Sequence, residues 1–346
     1  MDRRGFLKTS GAAAVAAGTA SAARAEASDA VQGEAAPAIL SGIRRLNLAS
    51  SWGGDLPGSG AERLAHRIET ATGGRYRIVL AKDAASADLT YGDARALAKS
   101  HPAFAYFAGL PFGQGLDAAA HDAWLAVGGG QMLWDDLAAT FGFKPLVAGH
   151  TGASAGVWSS VRLETRSDIA GARLQVSGLA VDVVRALGAV PVEITSHELK
   201  AALADGRVAA AEWLGPLAAV SPDLEPLAGR LYQPGFHPAG TLLSIAIARP
   251  VWDGLGATDQ AIFEACAAQE YQLSLADVRA HALVAAQIER PAKWPVRETL
   301  PRELSAALEA AAVDVIAQVA ATDDTARRIH DSYQAFRRVM GEPVTT

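Results

Sequence analysis

Residues 172–213 read A-R-L-Q-V-S-G-L-A-V-D-V-V-R-A-L-G-A-V-P-V-E-I-T-S-H-E-L-K-A-A-L-A-D-G-R-V-A-A-A-E-W. Three short apolar runs, 172–176, 190–194 and 208–213, alternate with two segments of helical spacing, 179–187 and 198–204. Gly188 and Asp205-Gly206 stop those helices, and Ser196 can cap the second. Strand–helix–strand at this spacing predicts an α/β fold with mainly parallel sheets. The last run ends on Glu212-Trp213, just before Gly215-Pro216. That pair offers a carboxylate, a large apolar face and an indole N–H, the mixture a small-molecule pocket uses. Taken alone, it also reads as a strand end with one exposed Glu and one packed Trp.

Working toward the N-terminus, 155–161 and 145–148 read as strands and 131–141 and 117–127 as helices, with 103–110 apolar and 94–100 helical. Strands are predicted at 44–50 and 75–81, around a loop carrying Trp52 and a helix at 61–72. Only residues 82–87 separate 75–81 from the next strand candidate, 88–91. A parallel crossover needs a dozen or more residues, so either these strands are not parallel neighbours or a crossover has been lost. Toward the C-terminus, 231–240 reads as a loop with aromatics and 241–248 as a strand. Ile262, Phe263, Cys266, Leu273, Val278 and Ile288 give 258–288 the longest helical period. Such a helix spans about 45 Å, enough to lie across two domains. An extended run at 294–300 precedes helices at 301–321 and 326–340.

A chain of 346 residues has room for two cores, and a net charge of −6 gives no electrostatic reason to expect nucleic acid. The single cysteine, Cys266, excludes an internal disulfide. The start, M-D-R-R-G-F-L-K, leads through a small apolar run to Ala23-Arg24-Ala25. This predicts a twin-arginine signal peptide over 1–25, a flexible lead-in over 26–41, and residence in the periplasm. Gly152-Ala153-Ser154-Ala155-Gly156 matches G-x-S-x-G, and a serine hydrolase could be assembled from Ser154, Asp314 and His330. The helix that should follow such a serine is missing. The eight histidines show no zinc spacing, and Gly128-Gly129-Gly130 lacks the rest of a phosphate loop. What remains at strand ends and loops is Trp52, Trp158, Gln175, Glu212, Trp213, Phe236 and His237. Ligands of open α/β sheets bind beyond the carboxyl ends of strands, and no nucleophile–base pair stands out, so binding is expected rather than catalysis.

Seven ordered stretches resemble the solute-binding proteins of TRAP transporters, the DctP-type periplasmic receptors. They are A-G-L-P-F-G (108–113), G-G-G-Q-M-L-W-D-D (128–136), S-D-I-A-G-A-R-L-Q-V (167–176), A-L-G-A-V-P-V (186–192), H-E-L-K-A-A-L-A-D-G (197–206), A-A-E-W-L-G-P (210–216) and Y-Q-P-G-F-H-P-A-G (232–240). The branch most resembled binds 2-oxoacids. The resemblance implies two α/β lobes closing on a small organic ligand, a long helix crossing both, a membrane permease as partner and, as in some relatives, a homodimer through the C-terminal helices. It places lobe I at 42–150 plus roughly 236–257, shortened around 82–87, and lobe II at 151–235. The spanning helix is 258–290, and 291–346 packs on the lobes.

Glu212, Trp213, Gln175, Ser154 and Trp158 are expected on the floor of the site and Trp52 and Phe236 on its walls, with Arg173 and His237 as further ligand contacts and a cation beside Glu212. Two positions depart from the pattern. Where the family carries an arginine that pairs the ligand carboxylate, this chain has Gln175, and Arg173 stands two residues earlier on the same strand face. Where the 2-oxoacid branch carries a glutamine, this chain has Ser154. Loss of a bidentate arginine removes a major specificity element, so a neutral, cationic or larger ligand is expected in place of a simple carboxylate. The other readings are a degenerate receptor acting as a periplasmic sensor or partner protein, and the Ser154 hydrolase.

Overall fold

The computed structural model describes residues 42–51, 60–81, 87–194, 196–213, 229–287 and 296–341. Among them are eleven strands: β1 (Arg44–Ser50), β2 (Tyr76–Ala81), β3 (Leu89–Asp93), β4 (Phe143–His150), β5 (Gly156–Ser159), β6 (Arg173–Gln175), β7 (Val190–Val192), β8 (Ala210–Trp213), β9 (Arg230–Gln233), β10 (Leu242–Ala248) and β11 (Val296–Thr299). The longer helices are α1 (Ala61–Ala71), α2 (Ala118–Ala126), α3 (Gly130–Ala139), α4 (Ala180–Ala186), α5 (Ser196–Ala204), α6 (Ala257–Gln287), α7 (Arg302–Ala320) and α8 (Asp324–Val339).

The strands form two sheets, one ordered β2-β1-β3-β10-β4 and the other β11-β9-β5-β8-β6-β7. The molecule is thus a two-lobed α/β protein. Each sheet holds one strand running against all the others: β10 in the first, β5 in the second. These are the strands by which the chain changes lobe. It leaves the first sheet at β4 and enters the second as β5; it leaves the second at β9 and re-enters the first as β10. An expectation of mainly parallel sheets describes the remaining strands and misses these two, each of which is entered directly from a strand of the other sheet.

The two passages are bonded to each other. The Thr151 N–H donates to the Thr241 carbonyl at 2.9 Å, and the Thr241 N–H donates to Thr151 Oγ1 at 3.0 Å. Residues 151–155 and 234–241 are therefore neighbours, and whatever they carry is brought to the junction of the lobes.

The close spacing of β2 and β3 is that of a shortened parallel crossover. They are not neighbours: β1 lies between them, parallel to both. The connection keeps only residues 82–88, and 82–86 fall outside the described residues. Leu46, Leu48, Tyr76 and Ile78 turn one face of β1 and β2 into the core under α1. The alternate positions carry Arg45 and Arg77, both exposed, with Asn47 and Val79 half-buried. A polar outer face is what a sheet shows where no helix covers it.

The largest apolar cluster joins residues of 94–138, the second lobe from Val157 to Ala189, and α7 and α8. Phe107 stacks between Trp124 and Trp134 at ring separations of 5.4 and 5.1 Å. A second cluster fills the first lobe beneath α1 and the N-terminal half of α6. The 31 residues of α6 extend about 46 Å. Midway along it, Glu270 is fully buried and holds Arg63 Nη2 at 2.6 Å and Arg67 Nη1 at 3.0 Å, both from α1. Glu270→Gln is expected to cost about 2 kcal/mol, less than the 3–5 of a wholly buried pair because both arginines reach water. Urea unfolding measures it; a change under about 0.5 kcal/mol would mean that the pair does not fasten α6.

Candidate functional site

Glu212 lies at the carboxyl end of β8, in the middle of the second sheet, opposite Val157 of β5. It is buried, and both its oxygens are engaged by one residue of the returning passage. The His237 N–H donates to Oε1 at 2.6 Å, and His237 Nδ1 lies 2.6 Å from Oε2. An ionised carboxylate can only accept, so Nδ1 carries the hydrogen. Burial alone would raise the Glu212 carboxyl; the adjacent His237 ring, its two hydrogen bonds and the charge of Arg95 outweigh burial and hold the group below its ordinary value. The other ring nitrogen, His237 Nε2, is buried and makes no hydrogen bond among the described residues.

Ser154 joins this pair from the outgoing passage. A methyl at position 235 would stand 2.2 Å from Ser154 Oγ and 2.8 Å from Glu212 Oε1. Only glycine fits there, and Gly235→Ala is expected to push the two polar groups apart. The result should be about 2 kcal/mol of lost stability, as for other overpacked sites, together with loss of ligand response in a thermal-shift assay. Unchanged melting and unchanged ligand response would show that this contact yields freely.

The other predicted residues divide. Phe236 is buried against Phe112, ring centroids 5.0 Å apart, and its carbonyl accepts from the Phe112 N–H at 2.7 Å. It packs in the core beneath the site. Trp158 is fully buried among Leu199, Leu203 and Ala211 under α5, with its Nε1 lacking a hydrogen-bond partner among the described residues. The pleat explains it, since Val157 shares the face of Glu212 and the next residue must point the other way. Gln175 stands beside Ala211 in the register, hence on the Trp158 face, at the end of β6 and half-buried. Arg173 is exposed, with its charge acting on Asp205. The fold therefore brings Glu212, His237 and Ser154 together, with Trp158 on the other face of the sheet and Arg173 exposed. Trp52 and the side chain of Trp213 lie outside the described residues.

The hydrolase arrangement is not assembled. Ser154 Oγ accepts from the Gly156 N–H at 3.3 Å and makes no bond to His237 Nε2. His330 is engaged by Tyr106 Oη at 2.7 Å.

One residue at this junction is absent from the sequence-based candidates. Arg95 sits in a 3-10 turn, Ala94–Lys99, that follows β3 and is capped by Asp93. It is only 7% exposed. Its Nε and Nη2 both donate to Asp93 Oδ2, and its charge is felt at Glu212. The local pattern D-x-R records the ion pair, but nothing in it says that the turn faces the second lobe.

Two lobes joined by paired passages, with a buried polar cluster at the crossing, define a two-lobed ligand-binding protein. Residues 54–322 match the family described as bacterial extracellular solute-binding protein, family 7, the DctP family. The chain belongs to that family, whose members work outside the cytoplasm. It is similar to a monocarboxylate 2-oxoacid-binding periplasmic protein of Nostoc sp. (strain PCC 7120), with 27% identity over 310 residues covering 85% of this chain and 84% of that one. The fold matches a TRAP periplasmic solute-binding protein from Pseudoalteromonas atlantica with bound sodium and pyruvate, with a TM-score of 0.79, 24% identity, and coverage of 87% of this chain and 95% of that one. It also matches one from Bordetella bronchiseptica, a mixed-occupancy dimer with calcium and picolinate in one site, with a TM-score of 0.79, 22% identity, and coverage of 86% and 93%. No helix among the described residues is long and apolar enough to cross a membrane.

Proposed function

We propose that this chain is the receptor of a TRAP-type transport system. It is exported by the twin-arginine route, holds a small organic ligand between its lobes and delivers it to a membrane permease, with a preference shifted away from pyruvate-like acids. The observation that carries this reading is the Glu212–His237 pair at the lobe crossing, kept while Gln175 and Ser154 replace the arginine and glutamine of the 2-oxoacid pattern. Pairing between copies, as in the Bordetella relative, suits α7 and α8 at the C-terminus.

A cation beside Glu212 is the expectation from the resemblance, and solved relatives of this fold hold sodium or calcium with their ligand. Here each Glu212 oxygen already accepts one bond from His237, which leaves a single lone pair on each for any cation. Among the described residues no group of three His, Cys, Asp or Glu could hold a metal ion. The same pairing removes the reason to expect a cationic ligand, because the charge of Glu212 already has a partner.

A thermal-shift screen of organic acids, amines and inorganic cations tests the reading. Stabilisation by an organic ligand larger than pyruvate, exceeding that by pyruvate, is expected. Micromolar pyruvate binding in calorimetry that disappears in Arg173→Ala would place the working charge at 173 and end it.

A further inference from the structure

We propose that Arg95 is the residue that receives the acidic group of the ligand: the anion-binding charge has moved from strand β6 of the second lobe to the turn after β3 of the first, and the ligand is a small organic anion held without a metal. This rests on the receptor reading above.

The guanidinium has five N–H donors in a fixed fork. Nε and Nη2 of Arg95 are used on one oxygen of Asp93. Nη1 is buried and has no hydrogen-bond partner among the described residues. A cationic donor withdrawn from water and left open costs stability, and a ligand acceptor relieves that cost.

The stem of Arg95 reaches across to the second lobe. Its Cβ, Cγ and Cδ lie 3.2–3.4 Å from where a methyl on Gly178 would stand. Gly178 follows Gln175 by three residues, in the loop that leaves the carboxyl end of β6. The stem of Arg95 thus lies against the loop that leaves β6, and its charge is felt at Glu212.

The hydrogen-bonding groups are then matched without a cation. Both oxygens of Glu212 are taken by His237 and one edge of the Arg95 fork by Asp93, which leaves Nη1 for one acidic group. A carboxylate on that edge gains a charge-assisted hydrogen bond that its uncharged amide does not.

Calorimetry with picolinate and picolinamide, in the presence of a chelator, tests this on the wild type and on Arg95→Gln, Arg95→Lys and Asp93→Asn. Picolinate should bind the wild type without added metal and at least tenfold more tightly than picolinamide. Arg95→Gln should weaken picolinate tenfold to a hundredfold and leave picolinamide unchanged, and Arg95→Lys should recover part of the loss. Asp93→Asn breaks the same ion pair but keeps the cation, so it should bind picolinate as tightly as the wild type or tighter. Equal weakening in Arg95→Gln and Asp93→Asn would mean that the arginine only supports the fold, and would overturn the proposal. So would picolinate affinity untouched by Arg95→Gln, dependent on added calcium or sodium, or absent. If the acids fail, stabilisation by 2-amino-1-propanol keeps the receptor reading, whereas no response to acid, amide or amine ends both.

Discussion

Glu212→Ala should unfold with about 3–5 kcal/mol less stability than the wild type and should bind no ligand. The carboxylate is buried, and two donors of one residue converge on it at 2.6 Å each. Removing it leaves the buried His237 N–H and ring Nδ1–H without their acceptor, and the larger part of the loss is that unmade pairing. Glu212→Gln keeps one carbonyl acceptor but presents an NH₂ to a donor, so it should recover about 1–2 kcal/mol of the loss. Because the folded state holds the Glu212 carboxyl below its ordinary value, its contribution is complete above the unfolded value and fades as pH falls through the folded one. Urea denaturation of the three proteins at pH 7 measures the order. A loss under about 1 kcal/mol in Glu212→Ala would mean that the site relaxes around the gap.

Two buried histidines of the first lobe should make the protein acid-labile well above the range where carboxylates titrate. Burial, reinforced by the neighbouring His150 charge, takes His121 down to about 3 against a backbone hydrogen bond to Tyr106. Burial takes His150 down to about 4, opposed by the charge of Asp117. His121 packs beside Trp124 and Tyr333 with its Nε2 unpartnered, and His150 Nδ1 accepts from the Gly152 N–H at 2.9 Å. Both rings are neutral when folded and take a proton near pH 6.5 when unfolded. Below that pH the unfolded chain binds protons that the folded one refuses, so stability falls as pH falls. Each ring contributes a slope of up to about 1.4 kcal/mol per pH unit, continuing to about pH 4 for His150 and about 3 for His121. Between pH 6.5 and 4 the pair should therefore remove several kcal/mol. His121→Phe keeps the ring packing and should halve the slope while changing stability at pH 7 by about 1 kcal/mol. Guanidinium unfolding at pH 7, 6 and 5 reads this directly. A flat profile in the wild type would show that the rings take protons without leaving their places.

The elements were readable in the sequence where they carry a strong period. The helix expected at 258–288 is found at Ala257–Gln287, and the three runs of 172–213 each contain their strand. The segment 231–240, read as a loop, begins with strand β9, because four residues pairing on both sides need no internal pattern to be a strand. Periodicity also gave no sign that β1 would lie between β2 and β3, or that β5 and β10 would run against their sheets. Those facts depend on where the chain goes between elements.

The site shows the same division. Glu212 and His237 lie in motifs that the resemblance carries, and Ser154 drew attention as a departure from it. The face taken by Trp158 was not legible, because a motif gives a residue type and not which side of a two-sided strand it occupies. Arg95 was missed because its partners, Asp93 nearby and Gly178 more than eighty residues away, meet only through tertiary folding.

Glu212 is fixed on a strand of the second lobe, whereas His237 is carried by the passage already turning back toward the first. The bond between them is thus a latch laid across a pivot. Any rotation of one lobe on the other must carry this bond along, stretch it or exchange its partner. This one bond thereby ties the geometry of a carboxylate on one lobe to the path by which the chain returns to the other.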